Sequence, residues 1–178
     1  MRLVLLVFVM ALGSVLPAFA QNTPAVDVAG GYAFLRDQEA EVNLHGWLAS
    51  VGVNLNSSIG LVGEISRNKK TYDASGIDFL EVSANTFMGG LRFASYASPA
   101  IAPFAQVLFG ATRLEGNLLG ASEEVTEFSV QPGLGVDLRI QRTVAIRVGG
   151  DYRYIALEGE ARNQFRFYTA LVISAGSR

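Results

Sequence analysis

The sequence predicts an all-β fold, an eight-stranded antiparallel up-and-down transmembrane β-barrel. Three observations predict it. Beyond residue 24, apolar residues alternate with small or charged ones through eight segments, a period of two that marks strands. The links between segments alternate long and short. The less apolar parity combines glycine with arginine and carboxylate, which suits a narrow lumen and not a wet outer face.

The N-terminus is set apart from this pattern. Arg2 precedes an unbroken apolar run from Leu3 to Leu12, and Ala18-Phe19-Ala20 has the small-x-small form of a cleavage site. Residues 1–20 are expected to be a signal peptide cut before Gln21, leaving residues 21–178 as one barrel domain. The run is too short for a spanning helix, which needs about 20 apolar residues. No later run approaches that length, so a membrane position for the mature chain requires a closed barrel. The chain has no cysteine, 19 glycines and a formal charge of −2, which becomes −3 once Arg2 is lost. That charge gives no field for nucleic acid. An exported domain without cysteine relies on packing and hydrogen bonds.

The segments follow in order. Ala25 to Arg36 sets Val26, Val28, Tyr32 and Phe34 against Asp27, Ala29, Gly31 and Ala33. His45 to Asn56 sets Trp47, Val51, Val53 and Leu55 against Ser50, Gly52, Asn54 and Asn56. Ile59 to about Arg67 sets Ile59, Leu61 and Ile65 against Gly60, Glu64 and Ser66. Ala84 to Tyr96 sets Phe87, Leu91 and Phe93 against Gly90, Arg92 and Tyr96. Pro103 to Leu114 is less regular, with Val107, Phe109 and Ala111 opposite Gln106, Gly110 and Thr112. Glu127 to Arg139 sets Phe128, Val130, Leu134, Val136 and Leu138 against Ser129, Gln131, Gly133, Gly135, Asp137 and Arg139. Val144 to Leu157 sets Val144, Ile146, Val148, Tyr152 and Tyr154 against Arg147, Gly149, Asp151 and Arg153. Asn163 to Ser174 sets Phe165, Phe167, Leu171 and Ile173 against Arg166, Tyr168 and Ala170.

Between these segments lie "DQEAEVNL", "SS", "NKKTYDASGIDFLEVS", "ASPAIA", "EGNLLGASEEV", "IQR" and "EGEAR". Long outer loops and short periplasmic turns alternate in this way in membrane barrels with an even strand count. An eight-stranded interior is only wide enough for side chains. Charges inside it must pair, because an isolated buried charge is too costly. The expected lumenal network comprises Glu64, Arg92, Asp137, Arg139, Arg147, Asp151, Arg153 and Arg166, and it plugs the lumen. The expected aromatic girdle comprises Tyr32, Phe34, Trp47, Phe93, Tyr152, Tyr154, Phe165 and Phe167.

Three stretches carry a family resemblance: "PFAQVLFGATRL" (103–114), "GLGVDLRIQRTVAIRVGGDYRY" (133–154) and "NQFRFYTALVIS" (163–174). With them the chain resembles the outer-membrane β-barrel domain family, the small eight-stranded OmpA-type barrels of Gram-negative bacteria. The resemblance covers nearly all of the mature chain. It implies an outer-membrane location after export through the periplasm, insertion by the barrel-assembly machinery, and no enzyme activity. Members of this group usually end the last strand on an aromatic residue. Here Ile173 stands near the end of "LVISAGSR", which leaves recognition through Phe165 and Phe167, or weaker recognition, as the alternatives.

His45 is the only histidine, and Ser50 lies on the opposite parity, so a hydrolytic pair is poorly supported. One histidine and no cysteine do not make a transition-metal site. "GWL" at 46–48 lacks lipocalin spacing. Glu123, Glu124 and Glu127, like Asp73 and Asp78, read as solvated loop charge before they read as calcium or lipopolysaccharide contacts. Lys69 and Lys70 could touch lipid phosphates or blunt a loop. Gly89-Gly90 and Gly149-Gly150 precede no helix and are not phosphate loops. The functional expectation is a non-enzymatic, porin-like outer-membrane barrel without cofactor. Its partners are outer-membrane lipid and lipopolysaccharide, and its role is in envelope integrity or surface interaction through extracellular loops. A soluble secreted lipocalin-like ligand-binding barrel and a barrel-embedded lipid-modifying enzyme are the alternatives.

Overall fold

The computed structural model describes residues 23–38, 42–74, 77–118, 121–157 and 160–176, without the side chains of 71–82, 116–123 and 157–161. The expected signal peptide lies outside the described residues. The strands are β1 (Val26–Asp37), β2 (Val42–Asn54), β3 (Ile59–Ala74), β4 (Ile77–Ala94), β5 (Ile101–Leu118), β6 (Ala121–Arg139), β7 (Val144–Leu157) and β8 (Glu160–Ala175). Each pairs antiparallel with its neighbours in chain order, and β1 pairs with β8 to close the barrel.

Register fixes the barrel's dimensions. One paired row runs Val28, Val51, Gly63, Gly89, Phe109, Val130, Tyr154, Asn163. From Asn163 it returns to β1 at Gln38, whose amide donates to the Asn163 carbonyl. That is ten residues beyond its start. With strand spacings of about 4.8 Å and a rise of about 3.3 Å per residue, this stagger over eight strands gives a tilt of about 40°.

The alternation expected from sequence is the alternation of the wall. Inward positions are mostly buried, and across the middle of the wall the exposed outward positions are largely apolar, Val28, Leu61, Phe109, Leu134 and Leu171 among them. The inward-facing glycines are a steric requirement of this narrow cylinder. A Cβ on Gly31, Gly90 or Gly110 would strike neighbouring backbone, and one on Gly149 would strike the Tyr168 ring.

Most strands are longer than expected, with the largest extensions at the end away from the termini. β3 runs to Ala74 instead of stopping near Arg67, and β4 begins at Ile77 instead of Ala84. β5 and β6 likewise absorb most of "EGNLLGASEEV". The expected long loops are therefore largely paired hairpin. Outside the membrane both strand faces meet water, so hydrophobic alternation fades while backbone pairing continues. At the opposite end the turns are short for local reasons. Asn56 Oδ1 accepts from the amides of Ser58 at 2.9 Å and Ile59 at 2.8 Å. Ser98 Oγ accepts from those of Ala100 and Ile101, both at 3.3 Å.

The β6–β7 ladder has a gap. Pairing runs from Phe128–Ala156 to Val130–Tyr154, then resumes at Gly133–Asp151. Pro132 sits in the gap. It has no N–H to give, and it keeps its place opposite Val107 on the β5 side.

Candidate functional site in the barrel interior

Alternation sends Asp27, Glu64, Arg92, Asp137, Arg147, Asp151, Arg153 and Arg166 into one lumen. They lie in two layers, the lower nearer the termini. In the lower layer Arg147 makes a forked pair with Asp137, Nε to Oδ1 at 2.7 Å and Nη2 to Oδ2 at 2.8 Å. Its Nη2 also reaches Asp27 Oδ1 at 3.3 Å, and Arg92 Nη1 reaches the same oxygen at 3.3 Å. Gln106 Oε1 accepts from Arg92 Nε at 3.1 Å and Nη2 at 3.0 Å. The two guanidinium groups lie 4.9 and 5.0 Å from the Phe104 ring centroid.

The upper layer is centred on Arg166. Its Nη2 lies 2.7 Å from Glu64 Oε1 and also bonds Asp151 Oδ2, which accepts from Nε at 2.9 Å. Gln131 Nε2 donates to Glu64 at 3.3 Å and to Asp151 at 3.4 Å, while its Oε1 accepts from Arg153 Nε at 2.8 Å. Arg153 Nη1 reaches Gln164 Oε1 at 3.4 Å, and Gln164 Nε2 donates to Asp37 Oδ2 at 2.9 Å. A polar chain thus runs from Asp37 to Arg166 through the upper barrel. Arg153 and Arg166 are 0% and 1% exposed. The Arg166 guanidinium also stacks 5.2 Å from Tyr168.

Arg139, expected among these charges, stands at the lower mouth. It lies 5.1 Å over the Tyr96 ring, beside Gln141, Arg142 and Ser174. Burial pushes the Tyr96 phenol above its ordinary range, and a hydrogen bond from Asn54 at 3.3 Å opposes the shift.

A closed, antiparallel eight-stranded wall with apolar residues outside and charge inside is the architecture of an outer-membrane barrel. The model of the Outer membrane protein beta-barrel domain matches residues 4–178. The chain belongs to this family. No curated protein sequence matches it. Among solved structures it is similar to Neisserial surface protein A, with 13% identity, 84% of this chain and 95% of that chain covered, and a TM-score of 0.68. It is similar to Ail, the attachment invasion locus protein of Yersinia pestis, with 13% identity, 85% and 100% covered, and 0.58. It is also similar to OprG from Pseudomonas aeruginosa, with 8% identity, 86% and 95% covered, and 0.57. The protein is located in the bacterial outer membrane, as its family and fold require. The termini and short turns then face the periplasm, and the long hairpins face outward.

The family frame orders the remaining residues. Tyr32, Phe34, Trp47, Tyr152, Tyr154, Phe165 and Phe167 lie on the outward parity towards the outer end of the wall. Phe93 pairs with Ile59 at the periplasmic end. His45 also faces outward, bonded through Nδ1 to the Tyr32 hydroxyl, whereas Ser50 is buried inside. The wall of β2 separates the two, so they cannot act as a pair.

Sequence reading passed over Asp27, Asp37, Gln106, Gln131 and Gln164. Asp27 shares its parity with alanine and glycine and is far in sequence from its partners. Its signal was the same inward parity that marked Asp137 and Asp151. Glutamines carry no formal charge, so a charge-based search does not find them, yet Gln131 and Gln164 join carboxylates to Arg153, and Gln106 accepts from Arg92.

Proposed function

We propose that this protein is a closed, non-conducting outer-membrane barrel that performs no catalysis and acts through its position and its extracellular hairpins. The observation that carries this reading is the complete burial of Arg153, Arg166, Gln131 and Gln164 across the upper lumen, joined by hydrogen bonds. Side chains so tied fill the cross-section that water or solute would need, and the Arg92–Phe104–Arg147 stack fills it again lower down. The role we infer is envelope integrity or surface interaction. Its partners are outer-membrane lipid and lipopolysaccharide, and the barrel-assembly machinery during insertion. Residues 1–20 serve as the export signal.

A liposome-swelling assay tests the plug. Vesicles carrying the refolded protein are expected to exclude small sugars as protein-free vesicles do. A variant that empties the upper layer, Arg153→Ala with Gln131→Ala, is expected to admit water or small solutes if it remains folded. Rapid sugar entry with the wild-type protein would contradict the reading.

A further inference from the structure

We propose that the outward face of β1–β3 near its outer end binds the phosphate groups of a phosphorylated glycolipid of the outer leaflet. This deepens the lipopolysaccharide reading above and rests on it.

Three cations and the single histidine share this face. Arg36, His45, Arg67 and Lys69 occupy outward positions on three adjacent strands. Register sets Phe34 opposite His45 and His45 opposite Lys69, and sets Tyr32 opposite Trp47 and Trp47 opposite Arg67. Their level follows from the barrel geometry. At a tilt of about 40°, each residue gains about 2.5 Å of height and each step along a paired row about 3 Å. Trp47 then lies about 18 Å above Val26, and the four basic side chains start about 21–26 Å above it. The apolar band of an outer-membrane barrel is about 25 Å tall, so the cations stand where lipid headgroup phosphates stand.

The face is built to keep that charge. No outward position of β1, β2 or β3 from Val26 to Lys69 holds an acidic residue. On the β4–β6 side, charged groups of both signs have partners on neighbouring strands. Arg113 pairs with Glu124 at 2.6 Å, and Glu115 accepts from Ser83 and Asn85, both at 3.1 Å. On the β1–β3 side the polar contacts orient donors. Arg36 Nη1 donates to Asn43 at 3.0 Å. The Tyr32 hydroxyl bonds His45 Nδ1, and in the tautomer in which Nδ1 accepts, Nε2 carries the ring proton and offers a donor to an anion. Phe34 packs edge-on against the imidazole at 5.4 Å.

A recess lies below on the same strand. Gly63 faces outward directly opposite Gly89, and a Cβ added at Gly63 would meet nothing within 4 Å. Crowding therefore does not demand glycine there, unlike at the inward positions. The gap between Ile65 and Leu61 on one strand and Phe87 and Leu91 on the next can seat an acyl chain. Cations above an apolar recess match a phosphorylated lipid and exceed what a free phosphate uses.

The test is binding of bisphosphorylated lipid A, in mixed micelles, to the refolded barrel. Dephosphorylated lipid A and inorganic phosphate serve as the other arms. Wild-type protein is expected to prefer the phosphorylated lipid at least tenfold. Arg36→Gln with Lys69→Gln is expected to weaken that binding roughly thirtyfold, about fivefold for each cation. Arg113→Gln, on the β4–β6 side, is expected to leave it unchanged. Folding of each variant is checked by heat-modifiable migration. If the double variant does not fold, Lys69→Gln alone is used, with a fivefold loss expected. Equal affinity of wild type and cation variant would overturn the site while leaving lipopolysaccharide binding elsewhere intact. Absence of wild-type lipid binding would overturn the partner reading itself. Equal binding of the dephosphorylated lipid, or displacement by equimolar inorganic phosphate, would also overturn the proposal.

Discussion

Arg166 on β8 and Glu64 on β3 meet inside the barrel at 2.7 Å, with two whole strands of wall between their own. Asp151, the cross-strand neighbour of Arg166, shares the guanidinium. The pair is a contact across the lumen, so it ties distant parts of the wall together.

Removing one member of this group strands buried charge. Arg166→Met leaves Glu64 and Asp151 facing each other, and it is expected to lower unfolding stability by about 3–5 kcal/mol. Replacing Asp151 by Asn in the same background is expected to restore part of that loss, because one of the two stranded carboxylates disappears. Urea titration in lipid vesicles reads both.

The two classes of glycine separate under substitution. Gly149→Val places side-chain atoms in the Tyr168 ring and is expected to abolish the folded, heat-modifiable species. Gly63→Val, on the open outer face, is expected to leave it intact. Gel migration of unboiled samples distinguishes the outcomes.

Pro132 predicts local weakness in the wall. The amide of Tyr152 faces the ladder gap, and it is expected to exchange with solvent deuterium faster than those of Val148 and Gly150, which face the same neighbouring strand. Exchange measured by NMR in micelles checks this. Equal protection along β7 would show that the gap is closed by other partners.

Trp47 is the only tryptophan, so its emission reports one level of the barrel. Its outward position near the outer boundary predicts blue-shifted emission, quenched most by lipids brominated close to the headgroup. Strongest quenching by lipids brominated at the chain ends would contradict the register-based level.

Much of this wall could be read from sequence, because a narrow membrane barrel imposes one rule on every strand. "VAIRVGGDYRYIAL" sends Arg147, Asp151 and Arg153 inward and Val148 and Tyr154 outward, and alternation alone says so. The rule lapses where its cause lapses. Beyond the lipid, Thr71 to Ala74 of β3 remain paired without hydrophobic contrast, so the strand's end is not visible in sequence. Partners are invisible for a different reason. Asp27 meets Arg92 and Arg147 only because the stagger of all eight strands brings them to one level, and no local pattern encodes that sum.

The most direct test of the closed, charge-filled interior is current through a planar lipid bilayer containing the purified, refolded protein. The interior described here predicts no sustained channel steps across the range of voltages that intact bilayers tolerate. Long-lived, uniform conductance steps from the wild-type barrel would contradict it.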